Sequence, residues 1–117
     1  MGVATDCLFC RIASRKLPAE IVGEADGLLA FKDVNPQAPT HLLVIPTEHI
    51  ATIADATEAH SALLGRALQF TNRLASQYQL REPGYRVVVN CGEGAGQSVW
   101  HLHFHLLGGR AMRWPPG

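Results

Sequence analysis

The sequence has no excess of positive or negative charge, since ten lysine and arginine residues balance ten aspartate and glutamate residues. Without a net field the chain has no general attraction for nucleic acid or for an anionic membrane surface, so we expect neither as a partner. It also has no apolar run approaching the roughly 18 residues that a membrane span needs. The first residues lack the basic-then-apolar order of a signal peptide, which predicts a cytoplasmic protein.

Cysteine is scarce as well, with three residues in the chain of 117. An odd number of cysteines without a recognisable export signal argues against a disulfide framework and favours a metal site or free thiols. The length suits one hydrophobic core, so we expect a single domain over residues 1–117.

Apolar patterns broken by turn residues predict an α+β fold, an antiparallel sheet with one long helix on one face and a short N-terminal helix. The short helix is predicted at 7–15, the long helix at 55–80, and strands at 19–24, 28–34, 40–46, 85–91 and 98–107. In the long helix Asp55 and Glu58 resemble a capping box. Its apolar face is predicted to comprise Leu64, Leu68, Thr71, Leu74, Ala75 and Tyr78.

Three of the six histidines alternate with apolar residues in "HLHFH" at 101–105. In a strand, His101, His103 and His105 would share one face while the residues between them face the core. Histidine is typical of positions where a nitrogen acts as ligand, nucleophile or proton carrier, although a solvated sheet face could also carry it. Neighbours on that face are about 6.8 Å apart, whereas zinc ligands lie about 3.4 Å apart. One ion therefore cannot take all three imidazoles, and the row is predicted to serve two purposes.

Cys7 and Cys10 have the CxxC spacing of zinc sites. A closed site needs two further ligands, which could come from His41, His49, His60 or the histidine row. A single CxxC is also compatible with buried or redox-active thiols, so spacing alone leaves both interpretations open.

Longer motifs resemble a known family. "PTHLLVIPTEHI", "NCGEGAGQSVWHLHFHLLGG" and the final "WPPG" resemble the histidine-triad (HIT) superfamily, and "PQAPTH", "GGR" and "RWPPG" resemble its Hint branch of purine nucleoside phosphoramidases. The likeness extends over about 7–117. It implies a HIT-like fold whose sheet continues across a homodimer, with the tail 108–117 contributing to the dimer and the active site.

The resemblance implies a hydrolase that cleaves the P–N bond of adenosine phosphoramidate or aminoacyl-adenylate-type substrates and releases AMP. His103 would attack the α-phosphorus to form a nucleotidyl-histidine, which divides one displacement into two easier ones. His105 and His41 would contact or protonate groups around the phosphate. Ser98 would hydrogen-bond the phosphate or the leaving amine.

Three alternatives stay open. The first is a dinucleoside polyphosphate hydrolase or nucleotidyl transferase of the same superfamily. The second is a zinc hydrolase that uses His101 and His103 as catalytic ligands. The third is a non-catalytic protein that binds a nucleotide or a protein partner.

The same resemblance implies which residues contact the purine nucleotide and which hold a metal. The nucleotide contacts would be Phe9, Phe31, Asp33, Val34, Leu43, Asn90, Gly96, Gln97, Ser98, His103, His105 and Trp114. One structural zinc per chain would be bound by Cys7, Cys10, His49 and His101, and no catalytic metal is expected. Cys91 is predicted to be a partly buried residue at a strand end.

Overall fold

A computed structural model describes residues 6–117 and confirms the α+β fold. In chain order the elements are α1 (Leu8–Ala13), β1 (Ile21–Ala25), β2 (Leu28–Lys32), β3 (Thr40–Pro46), α2 (Ser61–Gln77), β4 (Tyr85–Val88) and β5 (Phe104–Gly108), with 3₁₀ turns at Ile53–Asp55, Glu58–His60 and Glu93–Ala95. Within this part of the chain no helix is long and apolar enough to cross a membrane.

The five strands form one antiparallel sheet in the order β1-β2-β3-β5-β4. Both faces of its central strands are covered, because β2 and β3 are buried along almost their whole length. Alternate residues divide between two clusters, as the pleat of a strand requires. Leu42 and Val44 pack with α2, whereas Leu43 and Ile45 pack on the opposite face with Phe9 of α1.

The long helix is shorter than its apolar pattern predicts. The predicted segment 55–80 begins with 3₁₀ turns, and α2 itself starts at Ser61. Asp55 does not form the predicted capping box with Glu58, because its carboxylate accepts hydrogen bonds from the backbone and hydroxyl of Thr52. The prediction of Leu68 as a core residue is also wrong, since its side chain is exposed. The buried face of α2 consists of Ala67, Phe70, Thr71, Leu74 and Ala75.

The last strand also begins later than predicted. β5 starts at Phe104, so residues 98–103 lie outside the sheet ladder. Their polar groups are used elsewhere: the amide of Leu102 donates to the Ile50 carbonyl, and the carbonyl of His101 accepts from the ring of His103. The predicted strands 28–34 and 85–91 similarly end at 32 and 88. Cys91 is exposed rather than partly buried.

Candidate active site and metal centre

Strand register brings two of the predicted site histidines together. In the pairing of β3 with β5, Leu43 lies opposite His105 and His41 lies opposite Leu107. His41 and His105 are therefore diagonal neighbours on one face of the sheet. Their rings meet, with His41 Nε2 2.9 Å from His105 Nδ1.

A cavity of about 660 Å³ opens on this face, between α1 and the ends of β2 and β3. This volume lies in the range of ligand pockets in proteins. Its walls combine apolar side chains at one end with imidazoles at the other. The predicted residues that line it are Phe9, Phe31, Asp33, Val34, His41, Leu43, Gly96, Ser98, His103 and His105.

His103 is held in one orientation by the main chain. Its Nδ1 lies 2.7 Å from the carbonyl oxygen of His101. A carbonyl only accepts, so the proton of the neutral ring is on Nδ1 and the lone pair is on Nε2. Phe9 packs edge-on against the ring with centroids 5.1 Å apart. Burial lowers the pKa of His103 below its usual value, which keeps the imidazole neutral and nucleophilic.

A backbone amide determines the tautomers of the other two histidines. The N–H of Gln37 donates to His41 Nδ1 over 3.0 Å, so the proton of neutral His41 is on Nε2. His41 Nε2–H then donates to His105 Nδ1, with Asp33 Oδ2 3.4 Å away as a second acceptor. His105 consequently carries its proton on Nε2. That atom is buried and has no hydrogen-bond partner among residues 6–117.

We call the hydrogen bonds from the Gln37 amide to His41 and from His41 to His105 the relay. The relay requires that His41 and His105 both be neutral. Burial lowers the pKa of His41, and the nearby Asp33 carboxylate offsets only part of that effect. Burial, followed by the electrostatic repulsion that a protonated His105 would meet from the titratable rings of His103 and His41, lowers the pKa of His105 to about 4. A proton added to His105 Nδ1 would also face the Nε2–H of His41, and this clash of two donors opposes protonation of His105 as well.

The lowered pKa of His105 predicts that folding stability falls in mild acid. Between pH 6.5 and about 4 the unfolded chain binds a proton at His105 that the folded chain does not, so stability decreases as the pH falls through this window. At about 1.4 kcal/mol per pKa unit the full shift would correspond to about 3.5 kcal/mol, and solvent screening at this partly exposed ring reduces the expected loss to roughly 2 kcal/mol. Urea unfolding measured across this range with excess zinc should be less steep in pH for His105→Asn than for the wild type. Equal pH dependence in both proteins would contradict the assignment.

Four further donor atoms converge beside α1. His101 Nδ1 lies 3.4 Å from Cys7 Sγ, 3.5 Å from Cys10 Sγ and 3.3 Å from His49 Nδ1, and Cys10 Sγ lies 3.3 Å from His49 Nδ1. Tetrahedral zinc, with bonds of about 2.3 Å to sulfur and 2.0–2.1 Å to nitrogen, separates sulfur from nitrogen by about 3.5 Å and two nitrogens by about 3.4 Å. The predicted set of two thiols and two imidazoles is thus confirmed as a cluster that can hold one zinc ion.

The hydrogen bonds of His101 are also those of a metal ligand. Its Nε2–H donates to the carbonyl of Pro46 over 2.7 Å, which leaves the lone pair on the Nδ1 that faces the cluster. His101 is completely buried, and burial lowers its pKa, so the ring is in the neutral form that metal binding needs.

A second group of donors, Asp33, His41 and His105, lies within 4.8 Å but does not fit a metal ion. A metal on His41 Nε2 would require a proton on Nδ1, and the N–H of Gln37 already points at that atom. In this group the protonated Nε2 of His41 points at the other donors, whereas His101 presents its unprotonated Nδ1 to the cluster of Cys7, Cys10, His49 and His101. Of the two clusters, the latter, here called the cysteine cluster, is the one that suits a cation.

Three residues predicted to contact the nucleotide do not line the cavity. Gln97 is buried, and its side chain accepts from the amide of Gly92 and donates to the carbonyls of Ala51 and Val99. Asn90 lies beyond the end of β4. Trp114 is 82% exposed in the C-terminal tail. Their contacts with a nucleotide stay predictions.

Other cavity residues were not identified from the sequence. One wall is formed by the end of α1 and the turn after it, and a second contribution comes from the loop between β2 and β3. The main additional residues are Ile12, Leu17, Pro18, Ala19, Asn35 and Gln37. The proline-rich "NPQAPT" signals a turn that could have drawn attention to Gln37, but no sequence pattern distinguishes the apolar wall from ordinary core.

Comparisons with known proteins agree with this geometry. The HIT domain family model matches residues 14–112. The chain is 54% identical to a HIT family hydrolase from Legionella pneumophila Philadelphia 1, with a TM-score of 0.94 and coverage of 96% of this chain and 100% of that chain. It is 52% identical over 115 residues to an uncharacterized HIT-like protein of Synechococcus elongatus, covering 98% of this chain and 100% of the relative.

A third relative is a 14 kDa zinc-binding protein of Zea mays, 47% identical over 112 residues that cover 94% of this chain and 87% of the relative. The family match extends over most of the sequence, from the end of α1 to the tail, and includes the histidine row and the strand that faces it. The chain therefore belongs to the HIT domain family.

Proposed function

We propose that this protein hydrolyses the P–N bond of purine nucleoside 5′-phosphoramidates through a nucleotidyl-His103 intermediate and releases AMP. The observation that carries the proposal is the 2.7 Å hydrogen bond from His103 Nδ1 to the His101 carbonyl, which leaves a lone pair on Nε2 of a ring that lines the cavity. The solved relative from Legionella pneumophila, described as a HIT family hydrolase, supports hydrolysis.

The reaction has two displacements at phosphorus. In the first, Nε2 of His103 forms a bond to the α-phosphorus while the P–N bond to the leaving group breaks, and the amine departs with the electron pair and gains a proton. In the second, water attacks phosphorus, the bond to His103 breaks, and AMP and the neutral imidazole are released. Each displacement meets a lower barrier than direct attack by water.

The remaining cavity residues fit the two ends of a nucleotide. Phe9, Phe31 and Leu43 form an apolar wall suited to a purine, with the 98% exposed Val34 at the rim. The carboxylate of Asp33 can accept hydrogen bonds from ribose hydroxyls. The Nε2–H of His105, which has no hydrogen-bond partner in the described range 6–117, supports a role in binding phosphate. An unsatisfied buried donor costs roughly 1–3 kcal/mol, and a phosphate oxygen would satisfy it.

The proposal includes one structural zinc per chain at the cysteine cluster. The zinc-binding protein of Zea mays supports this assignment. When bound there, zinc would supply a crosslink between α1 and the segment before β5, and it would not touch the reacting phosphorus.

A homodimer is also part of the proposal. β4 is an edge strand of the sheet, and its Arg86 donates to the carbonyl of Arg113 over 2.9 Å. This bond holds the tail beside the open edge, next to the exposed Trp114. Large aromatic residues are enriched in interfaces, which supports a place for this tail in the dimer interface, from which we propose that it reaches the partner's active site.

Trapping the intermediate tests the proposal. Wild-type protein is mixed with adenosine 5′-phosphoramidate and quenched within milliseconds in alkaline denaturant, where phosphohistidine bonds survive. We expect one AMP per chain, located by mass spectrometry on the peptide that contains His103.

Two other outcomes would contradict it. A zinc hydrolase would be identified if chelation abolished turnover at saturating substrate and if no adduct with AMP formed. Faster turnover of diadenosine polyphosphate than of the phosphoramidate would identify the other branch of the superfamily.

A further inference from the structure

Phe9 links the metal centre to the nucleotide cavity. It lies on α1 between Cys7, which caps the helix, and Cys10. Its ring packs against His103 at 5.1 Å, against His101 at 6.0 Å and against Phe31 at 5.4 Å, all edge-on. Phe9, which lies between the two cysteine ligands in the sequence, thus also forms part of the cavity wall.

α1 is too short to keep this position by itself. It has six residues, whereas isolated helices shorter than about 12 residues are marginal in water. On the sheet side it is held by two buried side chains, Phe9 and Ile12. The cysteine cluster is its other anchor, because the thiols lie against His49 and His101 from distant parts of the chain.

His101 provides a second link between the two sites. Its Nδ1 faces the cysteine cluster, its Nε2–H is held by the Pro46 carbonyl, and its own carbonyl accepts from His103. A metal on the side chain would therefore restrain the peptide group that orients the nucleophile.

We propose that metal at the cysteine cluster controls the affinity of the cavity for nucleotide, with Phe9 as the positioning residue. This inference rests on the proposed nucleotide function. With the metal bound, α1 is fixed and the apolar wall for the base is complete. Without it, the thiols and imidazoles no longer share a ligand, α1 is released, and the base loses the contact with Phe9.

The expected change in nucleotide affinity follows from the loss of the contact between the base and Phe9. Burial of one phenylalanine side chain against a ligand contributes enough to change affinity about 10- to 100-fold. Coupling between two sites is reciprocal, so nucleotide must tighten metal binding by the same factor by which metal tightens nucleotide binding.

Two binding measurements on the whole chain test this coupling. AMP affinity is measured by calorimetry for zinc-loaded and chelated wild type, and zinc affinity by competition with a chromophoric chelator, with and without saturating AMP. We expect 10- to 100-fold weaker AMP binding without zinc and an equal tightening of zinc by AMP. If the metal-free chain unfolds, AMP tightens zinc through folding alone, and the same measurement on Phe9→Ala then decides whether the coupling passes through Phe9.

Two variants test whether Phe9 couples the cysteine cluster to the nucleotide cavity. Phe9→Ala should bind one zinc per chain, bind AMP about 10-fold or more weakly, and show little coupling. Leu68→Ala, exposed on α2, should leave the coupling unchanged. The inference would be overturned if AMP affinity were equal with and without zinc and if zinc affinity did not change when AMP was added. Failure of zinc-loaded wild type to bind AMP at all would instead overturn the proposed function.

Discussion

His103→Asn is expected to lose phosphoramidate turnover by about 10³-fold or more, because the variant has no nitrogen lone pair to attack phosphorus. Asparagine is the informative replacement. Its carboxamide N–H can still donate to the His101 carbonyl, which now accepts from His103 Nδ1. The loss should therefore appear in kcat, while AMP affinity changes by less than about 10-fold.

The matched control for this variant is His60→Asn. His60 lies in the 3₁₀ turn before α2, accepts from the Thr57 amide and contacts Glu48, outside the cavity. It should keep wild-type kcat and adduct formation. Turnover of His103→Asn within about 10-fold of the wild type would show that another group attacks phosphorus.

Cys10→Ser is expected to lose the bound zinc and to lower the melting temperature by about 10 °C or more. Cys10 is 1% exposed and lies against both imidazoles of the cluster, so the hydroxyl of serine would replace a thiolate ligand in a buried site. Zinc present at about 1,000 times its Kd stabilises the folded chain by about 4 kcal/mol. For a domain of this size 1 kcal/mol corresponds to roughly 3–6 °C.

Cys91→Ser is the matched control, because Cys91 is exposed and lies outside the cluster. It should retain one zinc per chain and the wild-type melting temperature, as measured by metal analysis and calorimetry. Chelation of the wild type should reproduce the melting temperature of Cys10→Ser. If Cys10→Ser keeps one zinc per chain, the ligand assignment is wrong.

The fold could be predicted from the sequence because its segments differ in the period of their apolar residues. The ends of the helices and strands were harder to predict, because local hydrogen bonds determine where each element begins and ends. Thr52 with Asp55 and Thr57 with His60 form two 3₁₀ turns that postpone the start of α2. The period of apolar residues carries no signal for such side-chain caps.

The site could be predicted as a set of residue types but not as a hydrogen-bonded arrangement. Alternation in the histidine row persists, since Leu102 and Phe104 pack in the core with α2 while Phe9 contacts His101 and His103 on the other face. The donor that fixes the other two tautomers is a peptide N–H at Gln37. Every residue except proline has such a group, so its role depends on loop geometry and not on a side chain.

The relay from Gln37 through His41 to His105 also limits how protons can move during turnover. A peptide N–H gives up no proton at neutral pH, so it cannot refill His41 if His41 passes its proton to His105. A proton donated from His105 Nε2 would then leave an imidazolate in the relay. In the proposed reaction the pair would therefore act as a fixed dipole that stabilises negative charge and not as a proton wire. The proton that leaves with the amine would then come from outside the pair.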